Sequence, residues 1–156
     1  MISYAENYYQ VFVQCIRMYH ACDDVNTAAE SPYAAYSFRD ILFRKCWIDT
    51  VQWHLEDIIR EPSIHPPYAL AIKRRIDALN QERTNMVEKI DDWFVVKYQA
   101  VDCLPYARHN TESIGWAIDR LSILALKIYH IDAELTRDDI TPAHLEKCWQ
   151  RKNVLD

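Results

Sequence analysis

Apolar residues recur along this chain at helical rather than strand spacing. Tyr8, Val11, Cys15, Tyr19 and Cys22 keep a rhythm of three or four residues, which predicts a first helix over about Tyr4 to Asp24. The turn formers between Asn26 and Pro32 end that pattern. Phe38, Leu42, Lys45, Ile48, Gln52, Leu55 and Ile59 then share one stripe of a second helix, expected over Tyr33 to Arg60. Glu61-Pro-Ser-Ile-His-Pro-Pro67 stops it and sets Pro67 as the first residue of a third helix, where a missing N–H is harmless. This third helix is expected to reach Gln99. Ile72, Ile76, Leu79, Arg83, Met86, Ile90 and Trp93 form its seam. After a linker containing Pro105, Ser113 is the N-cap of a fourth helix running to about Leu135. Thr141 and Pro142 open a last short helix to about Lys152.

These patterns predict an all-α protein. One domain over residues 1–156 is expected, an antiparallel helical bundle of four long helices plus a short C-terminal helix. The fourth helix is expected to be central, because only Ser122, Lys127 and His130 interrupt its apolar run from Leu121 to Ile131. Composition sharpens the class. The chain holds a single glycine, Gly115, so glycine-rich phosphate loops and dinucleotide fingerprints are impossible and a multi-hairpin sheet is strongly disfavoured.

Charge and cysteine usage narrow the setting. A net charge of −5 lacks the basic face that nucleic acid requires. No stretch approaches the roughly 18 uncharged apolar residues of a membrane span, and the first residues show no secretory pattern. Cys15, Cys22, Cys46, Cys103 and Cys148 are odd in number and contain no C-x-x-C pair. Buried thiols in a reducing cytoplasm fit that better than a disulfide frame.

Three features interrupt the helical pattern with chemistry. Arg83 stands on the apolar seam of the third helix, near Asn80, and a buried guanidinium must be paired. It is either half of a structural ion pair or a group presented to an anionic ligand. Asp119 and His130 lie on one side of the fourth helix beside Ile123 and Leu126, and Asp119 is the natural partner for Arg83 or Arg120. Asn110, Thr111, Glu112 and Gly115 surround the start of that helix, whose free amides suit an anion. Gly115 alternatively makes room for a neighbouring helix.

His54 and Asp57 meet at i,i+3 on the second helix, and Glu88 and Asp91 repeat the spacing on the third. No cofactor is expected. No tightly bound transition metal is expected either, since neither a Cys/His quartet nor a double Glu-x-x-His set is present.

Gln52-Trp-His-Leu-Glu-Asp57, Lys73 to Arg83 and Asn110 to His130 together resemble the bacterial "domain of unknown function 4254" family, over about Phe38 to Leu135. The resemblance implies an all-helical bacterial cytoplasmic protein and supplies no activity. Two functions compete. One is binding or turnover of a small anionic, phosphorylated ligand inside the bundle: Arg83, Asn80, Asn110, Thr111, Glu112, Gly115 and Arg120 would bind it, and His54, Asp57, Asp119 and His130 are the catalytic candidates. The other is an interaction module or homodimer with structural polar residues, whose partner surface would be the aromatic first helix (Tyr4, Tyr8, Tyr9, Phe12, Tyr19).

Overall fold

Every long helix but one starts where a serine side chain accepts from its first free amides. In a computed structural model of the chain, which describes residues 3–155, Ser3 caps α1 (Tyr4–Cys22), Ser37 caps α2 (Phe38–Ile59) and Ser113 caps α4 (Ile114–Leu135). The exception is α3 (Pro66–Tyr98), which begins on prolines, and α5 (Pro142–Leu155) completes the chain. The described residues are 72% helical, and no strand occurs among them. No helix among them is long and apolar enough to cross a membrane.

The α2 boundary differs from expectation by five residues, for a local reason. Tyr36 sits at φ 63°, outside the helical region, and its amide donates to the Asp40 carboxylate. Residues 33–37 therefore form a turn, and Ser37 opens the helix. Asp23, at φ 50°, ends α1 by donating its amide to the Tyr19 carbonyl.

α4 meets all four other helices, as expected of a central helix, yet the most enclosed helix is α2. Ten of the 22 α2 residues are buried, against six of the 22 in α4. The buried residues of α2 include Asp40, Lys45, Asp49 and Thr50, so hydropathy alone understates how enclosed this helix is. It packs against α1, α3 and α4, whereas α5 rests on α4.

The directions of the helices follow from who meets whom. Arg83 pairs with Asp119 and Asp91 with Gly115, so α3 and α4 are antiparallel. Gln52 meets Asn80 and Asp49 meets Arg83, so α2 and α3 are antiparallel too. On α1, however, Tyr8 touches Phe38 while His20 touches His54, which makes α1 and α2 parallel. The connection over residues 23–37 returns alongside the bundle, where Trp47 donates to the Thr27 carbonyl and Arg75 to that of Val25.

The first helix is not an aromatic surface. Phe12 and Tyr19 are fully enclosed in the core with Leu42, Phe43 and Leu126, and only Tyr4 among the expected set is well exposed. All five cysteines are free; Cys15, Cys46 and Cys148 are buried, Cys22 and Cys103 exposed.

Candidate functional site

Arg83 and Asp119 join a polar network that spans α2, α3 and α4. The Arg83 Nε donates to Asp119 Oδ1 at 2.7 Å and its Nη2 to Oδ2 at 2.5 Å, a bidentate pair. Lys45, fully buried, reaches Asp119 Oδ1 at 2.8 Å and also donates to Asp49 Oδ2. Ser122 donates to the same Asp49 oxygen at 2.6 Å. Burial pushes the Asp119 carboxyl upward, yet the Arg83 bond and the Lys45 charge outweigh it and hold the group below its ordinary range. Asp49 is raised, because complete burial exceeds the pull of Lys45 and Ser122.

Two cations and two carboxylates balance in this network, and no charge is left over for an anion. The cleft beside it, of about 190 Å³, is lined by Asp49, Glu56 and Asp57 as well as Arg60 and Arg83. That acidic lining gives a phosphate little to hold. No motif marks Lys45 or Asp49 in the sequence, although Lys45 stands on the α2 stripe as Arg83 does on the α3 seam.

The residues at the start of α4 lie apart from this network. Arg120 is exposed and pairs with Glu112, Asn110 accepts from the Glu112 amide, and Thr111 is exposed. The Gly115 amide donates to Asp91 Oδ1 at 2.7 Å, so the anion at this helix terminus is a side chain of α3. A Cβ on Gly115 would stand 2.6 Å from the Val87 carbonyl oxygen, so this glycine lets α3 and α4 approach. Asp57 is mostly exposed and pairs with Arg60, and Asn80 accepts from Gln52.

A second cluster joins His54 and His130 to His20, which no motif in the sequence marks. The three imidazoles come from α2, α4 and α1, and one ring nitrogen from each lies within 4.8 Å of the other two. Each ring rests on an aromatic plate. Tyr129 stacks on His20 at 4.4 Å, Tyr19 on His54 at 5.0 Å and Trp53 on His130 at 4.7 Å. His20 Nδ1 is 3.1 Å from Asp23 Oδ1. Burial and the neighbouring histidines lower the pKa of His54, and that of His130 falls to about 4. The expectation of no metal rested on ligand sets with a recognisable spacing; this set has none.

His130 and Trp53 also border an apolar groove of about 740 Å³ against α4 and α5. Ile131, Val154 and Leu155 supply further apolar lining, and Lys127, Lys147 and Arg151 are exposed along it. Glu134, at the same groove, is taken by Arg137 and by His144 Nε2 at 3.2 Å. Cys148 Sγ lies 3.6 Å from that same His144 nitrogen. A nucleophile relay needs the two imidazole nitrogens to serve the thiol and the acid separately. Cys148, His144 and Glu134 are therefore not a catalytic triad.

No curated protein and no solved structure matches this chain. A family model described as a protein of unknown function (DUF4254) matches residues 39–156, which takes in α5 and the groove as well as the segments that carry the resemblance. The chain belongs to the DUF4254 family.

Proposed function

We propose that the protein binds a small anionic molecule with an apolar body in the groove along α4 and α5. The observation that carries the reading is the combination of an apolar lining with three exposed cations, Lys127, Lys147 and Arg151, none of which forms an ion pair among the described residues. An apolar surface supplies affinity, and a few charged groups at its edge select orientation and charge. A purely polar phosphorylated sugar fits this lining less well than an acyl or aryl anion. The unpaired state of the five cysteines supports a reducing, cytoplasmic setting for that ligand.

Calorimetric titration with decanoate and with decanol tests the reading. Decanoate is expected to bind, and decanol to bind at least about tenfold more weakly, the value of one charge-assisted contact. Lys147→Gln with Arg151→Gln should bring decanoate down to the level of decanol. Equal binding of the two compounds refutes the anion, and binding of neither refutes the site.

Trp149 and Val154 on α5 are 50% and 85% exposed, which favours a second reading as an interaction module. Self-association in sedimentation experiments, abolished by Trp149→Glu, would support that reading instead.

A further inference from the structure

We propose that His20, His54 and His130 bind one divalent transition metal ion of the zinc type, at the junction of α1, α2 and α4. The proposal is independent of the α4–α5 groove and stands on the three imidazoles themselves.

The first support is unsatisfied polarity. Among the described residues, five buried side-chain nitrogen or oxygen atoms have no hydrogen-bond partner, and three of them are the Nε2 atoms of His20, His54 and His130. Buried polar atoms are ordinarily paired, and each exception needs a cause. One orphaned nitrogen is a small defect that a fold tolerates. Three in mutual contact, with ring centroids 5.0–5.4 Å apart, are a common feature of one place. A ligand that accepts three lone pairs at once satisfies all of them, and a metal ion does so.

The second support is orientation. The Asp23 carboxylate at His20 Nδ1 favours the tautomer with its proton on that nitrogen, and so leaves the Nε2 lone pair free. A carboxylate behind a ligating histidine is the usual second partner in such sites; it aims the ring and raises its basicity. The aromatic plates under the three rings limit their rotation.

The third support is distance. Nitrogens on a tetrahedral zinc ion at about 2.0–2.1 Å stand about 3.4 Å apart. Since one ring nitrogen of each histidine lies within 4.8 Å of the other two, the farthest pair needs to close by no more than about 1.4 Å. Small side-chain rotations cover that without moving a helix. Three imidazoles with no carboxylate or thiolate select a borderline ion such as zinc over magnesium or calcium, which prefer oxygen. Three protein ligands also leave one coordination position for water or a small anion, the arrangement of a reactive rather than a closed structural site.

The test uses the full chain, stripped with chelator, loaded with Zn(II), freed of excess by gel filtration and analysed for metal. One zinc per chain is expected, with a rise in melting temperature on loading. Co(II) in its place should give the intense visible absorption of a tetrahedral site. His54→Phe with His130→Phe keeps two flat rings in the core and should remove the bound metal while circular dichroism stays helical. Asp23→Asn touches an exposed position and should weaken zinc binding about 10–100-fold, as loss of an outer partner does. No retained zinc in the unaltered chain overturns the proposal. So does stoichiometric zinc that survives the double replacement, because it would then reside elsewhere.

Discussion

Replacing Gly115 by alanine is a sharp test of how α3 and α4 are fitted together. Gly115 does not have positive φ, so its backbone suits alanine, and the exchange would ordinarily stabilise the chain by about 0.4–1 kcal/mol. Here the new methyl would lie 2.6 Å from the Val87 carbonyl oxygen and 2.8 Å from Asp91 Oδ2. The Asp91 side chain can swing away, but it then gives up its 2.7 Å bond from the Gly115 amide, a charge-assisted contact of about 1.5–3 kcal/mol. The Val87 oxygen belongs to a helix backbone and moves only if α3 moves. Overpacking of that kind costs about 1–3 kcal/mol. Set against the backbone gain, the net expectation is a loss of about 2–4 kcal/mol. For a chain of this length that corresponds to a fall of roughly 5–15 °C in melting temperature. Urea unfolding followed by circular dichroism gives the free energy directly, and an unchanged m-value would show that two folded chains are being compared. An alanine variant as stable as the original would refute the close approach of the two helices.

The polar network makes the next prediction. Asp119→Leu leaves Lys45 and Arg83 facing the single carboxylate of Asp49, and should cost about 3–5 kcal/mol in urea unfolding. Adding Arg83→Met restores the balance of charge and should recover most of that loss; purely additive losses would show that the two residues do not interact. The histidine cluster predicts the acid limb of stability in chelator-treated protein. His130 has a pKa of about 4 in the fold against 6.5 for a free histidine, lowered by burial and by His54 and His20 despite the opposing charges of Asp57 and Asp23. Between those values the unfolded chain binds more protons, so stability should fall as pH drops from about 6.5 towards 4. His130→Phe should flatten that fall, and a slope unchanged by the replacement would refute the assignment.

What the sequence made legible was whatever depends on near neighbours. Ser113, the prolines that open α3 and the three–four seam of α3 each act within a turn or two, so those starts and that buried face follow from pattern alone. The α2 start lies later than the pattern implies because Tyr36 adopts positive φ, a choice that depends on Asp40 four residues later. The enclosure of α2 is hidden for a different reason. Lys45, Asp49 and Thr50 count as polar in any pattern, and only their partners, Asp119 and Ser122 on α4 and the Cys46 carbonyl, make their burial affordable.

The two polar clusters of the core differ in a way that bears on function. Lys45, Asp49, Arg83 and Asp119 close on one another charge for charge. Such a set can specify which helices meet and in what register; its one unbonded oxygen, Asp49 Oδ1, still lies 3.5 Å from the Arg83 Nε. His20, His54 and His130 are equally well positioned but leave three buried nitrogens without a partner. A fold that has paired three buried charges and the half-buried Arg83 elsewhere gains no stability from keeping three unsatisfied imidazoles together. Conflict between local chemistry and fold stability concentrates at sites that serve a function. His20, His54 and His130 sit on three different helices, so no spacing within one segment announces them, and only the packing of α1 parallel to α2 brings the first to the other two. The parallel placement of α1 is therefore more than a detail of topology: it completes a cluster of three imidazoles whose buried nitrogens are free to take a ligand.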